Sequence, residues 1–303
     1  MEEVAAVLVT GASGFIGRRV VDALSAKGYA VRCLVRKKKD LGIWKAGTAA
    51  AAAGDITDSK SLESALEGIA ACVHLASVIN APGTADFTKV NVEGTANLVE
   101  ACRAKGAGRF VYLSSIDAGV SGAGLYGRSK AAAEEIVRKS GLAYTILRPT
   151  VVYGSGDHKH ITSLIDFMKK WPVVPVFGDG TGKRQPVYVE DLAGAVEKCL
   201  SEPRTAGKSY DIAGPRAMPM NELVDSIARA LGRKRAVVHV PMRPVRAVFG
   251  CAAKVSRFAA GHLEQVMTID TDKVADISGA RDELGFRPVD FDKGLELTLK
   301  AGV

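Results

Sequence analysis

A tyrosine and a lysine lie four residues apart in the run Leu125-Tyr-Gly-Arg-Ser-Lys130, a spacing that would let them act together in acid–base chemistry. Residues four apart lie on one face of a helix, so the Tyr126 phenol and the Lys130 ammonium can approach each other. A tyrosine hydroxyl has a pKa of about 10 and is a poor base at neutral pH, but a nearby ammonium and an oxidised nicotinamide would stabilise the phenolate. The pair is therefore either an acid–base site or the ordinary start of an exposed helix.

Two serines, Ser114 and Ser115, end an apolar run that begins at Arg109 and that we predict to be a β-strand. Open α/β sheets bind their ligands beyond the carboxyl ends of the strands, so a serine hydroxyl at this point can hold a substrate oxygen. We expect the serine pair, Tyr126 and Lys130 to converge at that edge of the sheet.

A glycine-rich loop, Gly11-Ala-Ser-Gly14-Phe-Ile-Gly17, follows a strand-like run and opens a segment with helical periodicity. Glycines permit the tight turn and let the backbone approach a pyrophosphate, which then lies on the N-terminus of the helix. The spacing is GxxGxxG rather than GxGxxG, and a purely structural turn is the alternative. The strand before the loop and the helix after it favour dinucleotide binding.

A basic run, Val35-Arg-Lys-Lys38, stands about 20 residues past this loop, where dinucleotide folds carry their ribose contact. An acidic residue there favours NAD, whereas an arginine suits the 2′-phosphate of NADP. Because no acid occurs before Asp40, we predict that Arg36, supported by Lys37, binds the 2′-phosphate. NADP(H) is thus the preferred cofactor and NAD(H) the second option; a solvated basic loop is the alternative interpretation.

Apolar runs alternate with helical patterns through the first half of the chain, which predicts a parallel sheet covered on both faces. The expected helix is 15–27, and the expected strands are 6–10, 31–35, 71–75, 109–113 and 144–147. The alanine run between Gly47 and Gly54 favours helix by propensity, but it is short and stands where a third strand is due, so we predict a strand. Asp55, beyond it, can accept the adenine amino group or act as a loop cap before the next helix.

Prolines interrupt the second half of the chain, where helices at about 220–231 and 244–258 look appended to the sheet. The predicted fold class is α/β, a Rossmann-type doubly wound parallel sheet with a smaller C-terminal substrate lobe. We place the dinucleotide-binding core at residues 1–155 and most of the lobe at 156–303, with segments near 187–215 returning to the core.

The overall composition narrows the class of protein. Of the 303 residues, 47% are hydrophobic, and no apolar run approaches the roughly 20 residues that span a bilayer. The acidic N-terminus does not resemble a signal peptide, so we expect a cytoplasmic protein. Five scattered cysteines without a CxxC pair suggest reduced thiols rather than a zinc site. The net charge of +8, without a nucleic-acid motif, favours a small anionic ligand over nucleic acid.

Two further features receive a conservative interpretation. His158 and His160 alternate in a polar loop without a nearby third ligand, so no metal site is predicted. The segment Pro241–Phe258 mixes apolar and basic residues at helical spacing. We favour a lobe helix packed on the core over an element that touches an anionic membrane or covers an apolar substrate.

Short runs along nearly the whole chain carry a resemblance to a known family. They are Thr10–Gly17, Gly54–Asp58, His74–Ser77, Asn91–Thr95, Leu113–Ser115, Tyr126–Lys130, Leu147–Gly154, Gln185–Ala193 and Glu283–Pro288. Together they resemble the extended or atypical short-chain dehydrogenase/reductases of the NAD-dependent epimerase/dehydratase superfamily. The runs are specific for the superfamily and not for a substrate.

The resemblance implies roles for individual residues. Ser115 would hydrogen-bond the substrate oxygen, Tyr126 would be the acid/base, and Lys130 would bind the nicotinamide ribose. The remaining cofactor contacts would be Gly11, Ser13, Gly14, Phe15, Ile16, Gly17, Asp55, Ile56, Leu75, Ala76, Ser77, Pro149, Thr150, Val151 and Val152. Within this set, the backbone after Pro149 would meet the nicotinamide amide.

Two departures from the superfamily weaken the interpretation as a UDP-sugar enzyme. Only 11 positions separate Ser115 from Tyr126, fewer than in sugar-nucleotide epimerases. Those epimerases tend to carry an arginine followed by an acidic residue and an aromatic residue. In the run Lys183–Val187 only the arginine, Arg184, is retained. Arg184 is our candidate substrate contact. These departures bring the chain closer to the subgroup that resembles the 39 kDa subunit of respiratory complex I, where NADPH can be held for structural reasons.

Several functions remain open from the sequence. The leading hypothesis is an NAD(P)-dependent oxidoreductase or epimerase that transfers hydride at a carbinol or ketone, with Tyr126 as acid/base. A UDP-sugar 4-epimerase is the narrower alternative, and a non-catalytic NADPH-binding subunit or sensor is the alternative of another class. Homodimers are common in the superfamily, which leaves a homodimer open.

Overall fold

A computed structural model describes residues 6–36, 44, 48–79, 84–120, 124–157, 159–256, 259, 263 and 266–302 of the chain. The chain divides into two compact units. The first comprises residues 1–148, 192–211 and 278–286, and the second comprises residues 149–191, 212–277 and 287–303.

The first unit is built on one sheet. Its described strands are β1 (Ala6–Thr10), β2 (Ala30–Val35), β3 (Ala50–Ala53), β4 (Ala71–His74), β5 (Arg109–Leu113), β6 (Ala143–Pro149) and β11 (Lys208–Ile212). They follow the order β11-β6-β5-β4-β1-β2-β3, and every neighbouring pair from β6 to β3 is parallel. The predicted Rossmann-type sheet is confirmed, because the order 3-2-1-4-5-6 is the doubly wound arrangement.

The alanine run forms the edge strand β3, as predicted. Ala50 pairs with Arg32 and Ala53 with Val35, in parallel register. Alanine favours a helix in isolation, but main-chain hydrogen bonds to β2 are available to four extended residues at this edge. Sheet pairing therefore overrides local propensity.

Helices cover the sheet of the first unit. They are α1 (Phe15–Ala26), α2 (Ser59–Ala65), α3 (Thr84–Phe87), α4 (Gly94–Lys105), α5 (Leu125–Arg138), α7 (Val189–Ser201) and α10 (Ser278–Leu284). A π-helical segment, Thr88–Glu93, joins α3 to α4. The core between helices and sheet includes Leu8, Leu62, Leu98, Phe110 and Ile146, all fully buried.

The second unit has smaller sheets and its own core. Its described strands and helices are β7 (Val152–Tyr153), α6 (Ile161–Lys170), β8 (Val173–Phe177), β9 (Lys183–Arg184), β10 (Val187–Tyr188), β12 (Met218–Pro219), α8 (Met220–Ala230), β13 (Ala236–Val240), α9 (Met242–Ala252) and α11 (Phe291–Lys300). The pairs are β7 with β10, β8 with β13 and, antiparallel, β9 with β12. Ile165, Met168, Val174, Ile227 and Leu295 belong to its buried core.

The helix predicted at 244–258 differs from α9 at both ends. It begins at Met242, so that Pro244 falls in the first turn, where a missing N–H leaves no hydrogen bond unmade. It ends at Ala252, and residues 257 and 258 lie outside the described residues. Across the part of the chain that is described, no helix has the length and apolar character needed to cross a membrane.

Candidate functional site

The candidate site lies at the carboxyl ends of β1 and β4, between which the strand order reverses. Thr10 and His74 pair at these strand ends. Gly11 follows with a φ of +68°, and a Cβ built on it would lie 2.7 Å from the Ala76 nitrogen. Only glycine therefore allows the loop after β1 and the loop after β4 to come this close.

The glycine loop folds tightly onto the first turn of α1. The Gly14 N–H donates to the Gly11 carbonyl oxygen at 3.0 Å, and a Cβ on Gly17 would lie 2.2 Å from that oxygen. The helix has no side-chain cap and no acidic residue in its first turn. The main-chain N–H groups of Phe15 and Ile16 therefore keep their hydrogen-bonding capacity at the positive end of the helix dipole, which fits a pyrophosphate.

Other predicted dinucleotide contacts lie around this loop. Ser13, within it, accepts a hydrogen bond from Arg18 Nε on its carbonyl oxygen at 3.1 Å. Arg36 is exposed directly after β2, at the same carboxyl edge of the parallel sheet. Lys37 lies outside the described residues. An exposed guanidinium at this edge fits a ribose 2′-phosphate.

Asp55 bonds a neighbouring threonine and is not the helix cap that the sequence offered as the alternative to an adenine contact. Its Oδ1 accepts hydrogen bonds from the N–H and the hydroxyl of Thr57, both at 2.9 Å. The cap of α2 is the next acid along, Asp58, which accepts from the Lys60 N–H at 3.2 Å. Ile56 is buried, and its carbonyl oxygen accepts from Asn97 Nδ2. Asp55 therefore shapes the loop after β3, and an adenine contact for it stays a prediction.

Tyr126 meets two of the predicted site serines. The side chains of Ser77, after β4, and Ser115, after β5, lie close enough to its hydroxyl to act on its pKa. Ser115 Oγ also accepts from the Asp117 N–H at 3.2 Å, which holds the turn after β5. The Phe87 ring lies 6.5 Å from the Tyr126 ring, centroid to centroid. The structure thus brings together residues from three separate segments around one phenol.

The pKa of this phenol is set chiefly by burial. Burial raises the pKa of Tyr126 to about 12, the Asp117 carboxylate adds to the rise, and the polar side chains of Ser77 and Ser115 only partly oppose it. From the sequence we expect the Lys130 ammonium, together with an oxidised nicotinamide, to lower this pKa. In the chain itself desolvation has the larger effect, so Tyr126 stands as a neutral phenol at physiological pH.

Lys130 belongs to the same helix as Tyr126, α5, and is buried, with 2% of its surface exposed. Its Nζ donates to the Leu113 carbonyl oxygen at 2.6 Å and lies 4.3 Å from the centroid of the Tyr112 ring. Burial lowers the pKa of Lys130 to about 7, although the Glu134 carboxylate one turn along the helix acts to raise it. The ammonium keeps donors for a ligand, because a lysine has three N–H bonds.

Glu134 is itself nearly buried and bound by two arginines. Arg148 Nε donates to Oε1 at 2.8 Å, and Arg138 donates to Oε2 at 2.8 Å. Burial alone would raise the pKa of Glu134, but the Arg148 hydrogen bond and both positive charges outweigh it and lower the pKa. This cluster joins α5 to β6, the strand that contains Arg148.

A buried polar chain under the site was not identified from the sequence. His74 Nδ1 lies 2.7 Å from Thr10 Oγ1, and His74 Nε2 lies 3.0 Å from Thr95 Oγ1. Burial, and then the Lys130 charge, lower the pKa of His74 to about 3, so the ring is neutral. These hydrogen bonds connect the ends of β1 and β4 to α4. The His74 ring that makes them does not change its charge near neutral pH.

Asn91 is a second positioning residue without a predicted role. It is 1% exposed, and its side-chain amide accepts from the Val78 N–H at 2.8 Å and donates to the Val78 carbonyl oxygen at 2.9 Å. The same amide donates to Ser129 Oγ at 2.9 Å. It therefore links the loop that holds Ser77 to the helix that holds Tyr126. The one sequence signal was its place in the family run Asn91–Thr95.

The remaining predicted contacts belong to the second unit. The Thr150 N–H donates to the Ile212 carbonyl oxygen, and the Val151 carbonyl oxygen accepts from the Val187 N–H, both at 2.9 Å. Pro149 ends β6 and Val152 begins β7. These two main-chain bonds are internal to the unit, so a nicotinamide amide would have to use the other polar groups of this segment.

Arg184, the predicted substrate contact, binds main-chain oxygens. One of its Nη atoms donates to Lys183 at 2.9 Å and to Thr271 at 2.6 Å, and the other donates to Ile269. The guanidinium thereby holds the segment around residue 270 against β9. In the described residues, no group of three histidine, cysteine, aspartate or glutamate side chains has the arrangement of a metal site.

Comparisons with known proteins show the family and the fold of this chain. The model of the NAD dependent epimerase/dehydratase family matches residues 7–213. A ceramide reductase from Caulobacter vibrioides is 30% identical over 78% of this chain and 73% of its own. A UDP-glucose 4-epimerase from Vibrio cholerae is 27% identical over 97% of this chain and 94% of its own. A crystal structure of DesIV, a dTDP-glucose 4,6-dehydratase from Streptomyces venezuelae with NAD and TYD bound, is 27% identical with a TM-score of 0.79, covering 97% of this chain and 96% of its own.

Proposed function

The chain belongs to the NAD dependent epimerase/dehydratase family and is an NAD(P)-dependent enzyme. From that premise we propose that it interconverts a ketone and a carbinol, with NADP(H) as the preferred cofactor and Tyr126 as the proton donor and acceptor. The observation that carries this proposal is that Ser77 and Ser115, from the ends of two strands, both lie near the Tyr126 hydroxyl and act on its pKa. A structural tyrosine at a helix start has no need for two serine partners from different strand ends.

The proton chemistry favours reduction. A bound nicotinamide dinucleotide supplies the hydride for a carbonyl carbon or accepts one from a carbinol. Tyr126, which remains protonated up to a pH of about 12, donates its proton to the carbonyl oxygen as that oxygen gains negative charge. The Ser115 hydroxyl donates a hydrogen bond to the same oxygen, and solvent returns a proton to the phenolate.

Lys130 places a positive charge near the phenolate that forms on Tyr126. Below a pH of about 7 its ammonium is intact, and it stabilises the phenolate that the transfer leaves on Tyr126. Because one N–H is used by the Leu113 carbonyl oxygen, the others can bind the nicotinamide ribose. Lys130 therefore serves both the cofactor and the proton transfer.

The other predicted residues divide between cofactor and substrate. We assign Gly11, Ser13, Gly14, Phe15, Ile16 and Gly17 to the pyrophosphate, Arg36 with Lys37 to the 2′-phosphate, Asp55 and Ile56 to the adenine end, and Leu75, Ala76, Ser77, Pro149, Thr150, Val151 and Val152 to the path toward the nicotinamide. Arg184 remains the proposed substrate contact through its remaining N–H groups. The similarity to a ceramide reductase supports a carbonyl substrate, and a homodimer and a cytoplasmic location stay predictions.

Identification of the bound dinucleotide tests the cofactor proposal. Freshly purified protein is denatured, the released nucleotide is identified by mass, and the protein is titrated with NADPH and with NADH by fluorescence. Selective, exchangeable NADP(H) binding supports a reductase. Tightly retained NAD+ contradicts the assignment of Arg36 and favours an epimerase that regenerates its cofactor internally. NADPH that is retained but not oxidised by any ketone offered favours a non-catalytic subunit.

Tyr126→Phe tests the acid–base assignment. Removal of a general acid is expected to lower kcat about 10²–10⁴-fold while the dissociation constant for NADPH stays within a few-fold. The matched control is Tyr29→Phe, which removes a half-buried tyrosine hydroxyl from the first unit and should keep full activity. Equal kcat values for wild type and Tyr126→Phe would rule the assignment out.

A further inference from the structure

The small sheet of the second unit has an apolar face that is open to solvent. Its strands β8 and β13 are parallel, with Ala236 opposite Val173 and Val240 opposite Phe177. Val174 and Val176 point into the core and are buried. The opposite face, here called the β8–β13 face, carries apolar side chains only: Val173, Pro175, Phe177, Ala236, Val238 and Val240.

The exposure of these side chains is large for residues of their type. Val238 is 51% exposed, Val173 44% and Phe177 37%. Single exposed apolar residues are normal on protein surfaces, but contiguous ones mark contact surfaces. Because successive strand residues point to opposite faces, β8 places apolar side chains on both faces of this sheet, where a solvated sheet would have one apolar face.

Two aromatic residues extend the face at one edge. Trp171 precedes β8 with extended backbone angles and is 58% exposed, so alternation places it on the same side as Val173. The Phe167 ring lies 6.4 Å from the Trp171 ring and is 36% exposed. An indole with an apolar ring and a polar N–H is typical of membrane interfaces.

Basic residues surround the same edge, because the two parallel strands begin there together. The Ala236 N–H donates to the Pro172 carbonyl oxygen at 3.0 Å, Arg233 donates to the Lys169 oxygen at 2.9 Å, and Arg235 donates to Met168. The cations collected at this edge are Lys169, Lys170, Arg233, Lys234 and Arg235. One acid, Asp166, lies beside Lys169 at 3.5 Å. The edge is therefore strongly positive.

We propose that the β8–β13 face docks on an anionic lipid bilayer, with Trp171 at the interface and the basic edge against the headgroups. The face presents no hydrogen-bonding side chain, whereas protein–protein interfaces carry about one hydrogen bond per 100–200 Å². An apolar surface beside a basic cluster is what anionic bilayers bind, through apolar insertion and attraction of the cations. Docking of this kind needs no spanning helix.

Vesicle sedimentation tests the docking directly. The full chain is mixed with vesicles of phosphatidylcholine alone or of phosphatidylcholine with phosphatidylglycerol, and the bound fraction is measured at low and high salt. We expect binding to the anionic vesicles only, weakened by salt. In a Trp44→Phe background, the fluorescence of Trp171 should shift to the blue on binding. No binding to anionic vesicles would overturn the proposal.

Paired variants distinguish membrane binding through this face from binding that depends only on the net charge of the protein. Lys170→Glu with Lys234→Glu should lower the partition constant at least tenfold. The control, Lys27→Glu with Lys60→Glu, changes net charge equally in the first unit and should have little effect. Val238→Ser should weaken binding, whereas Val248→Ser, at another exposed valine, should not. Equal losses in the paired variants would overturn the proposal, as would a dimer that Val238→Ser dissociates, since a second copy would then cover the face.

Discussion

The two proposed acid–base groups are desolvated, and this decides their protonation. Tyr126 has its pKa raised to about 12 and Lys130 has its pKa lowered to about 7, in both cases chiefly by burial. Both shifts favour the uncharged form, as expected when a group leaves water. The Glu134 carboxylate opposes the shift at Lys130, and Arg148 and Arg138 keep that carboxylate ionised. The charge of Lys130 therefore depends on contacts one helical turn away.

Lys130→Met should remove a pH dependence from folding. The folded pKa of Lys130 is about 7 and its ordinary value is 10.5, so the folded chain pays a desolvation penalty that is complete below pH 7 and vanishes as pH rises toward 10.5. Each pKa unit corresponds to about 1.4 kcal/mol, which predicts several kcal/mol in total. Urea unfolding at pH 6.5 and pH 9 measures the difference between wild type and variant. An equal difference at the two pH values would contradict the buried ammonium.

Glu134→Gln should destabilise the first unit. It leaves Arg148 and Arg138 without a shared counter-charge, at a cost of roughly 2–4 kcal/mol in the free energy of unfolding, because these arginines are about a quarter exposed. Glu135→Gln is the control: that neighbouring carboxylate is 60% exposed and its loss should cost less than about 1 kcal/mol. Chemical denaturation compares them, and similar costs would show that burial of Glu134 has no energetic consequence.

At the scale of elements, the site depends on close approach between loops. The loop after β1, the first turn of α1 and the loop after β4 meet around Gly11, where any Cβ would collide with backbone. Asn91 then fixes the loop after β4 to α5 through Val78 and Ser129. Three elements that are far apart in sequence thereby hold the glycine loop, Ser77 and Tyr126 in one arrangement.

Gly17→Ala should weaken both folding and dinucleotide binding. Its Cβ would lie 2.2 Å from the Gly11 carbonyl oxygen, so the loop must shift, at roughly 1–3 kcal/mol of stability. Gly194→Ala is the matched control, since this helical glycine in α7 has no neighbour within 4 Å of an added Cβ and alanine is the better helix former. Unfolding and NADPH titration of both variants test the point; unchanged NADPH affinity in Gly17→Ala would contradict the assigned loop.

At the scale of the molecule, each unit has a core of its own. The first contains the doubly wound sheet and the residues for which we propose acid–base roles, Tyr126 and Lys130. The second contains Arg184, whose guanidinium is bound to main-chain oxygens, and the exposed β8–β13 face. The family prediction made from the sequence runs is confirmed by the match over residues 7–213.

Cofactor binding should raise the thermal stability of the whole chain selectively. A ligand at 100 times its dissociation constant adds about 2.7 kcal/mol to the folded state, so NADPH should raise Tm more than NADH at equal concentration. Arg36→Ser should abolish this preference, whereas Lys27→Ser, at an exposed cation past the other end of α1, should keep it. A larger Tm increase with NADH in wild type would refute the assigned 2′-phosphate contact.

The sequence by itself determined the features that depend on local backbone demands. Alternating apolar runs and helical periods specified the parallel sheet, and the Gly11–Gly17 loop was evident because a turn with positive φ and close approach needs glycine. The tertiary structure alone decided which distant side chains meet. Ser77 reaches Tyr126, Asn91 reaches Val78 and Ser129, and Arg184 binds oxygens near residue 270. Such contacts depend on how elements pack across the fold, and no period or spacing along the chain records that packing.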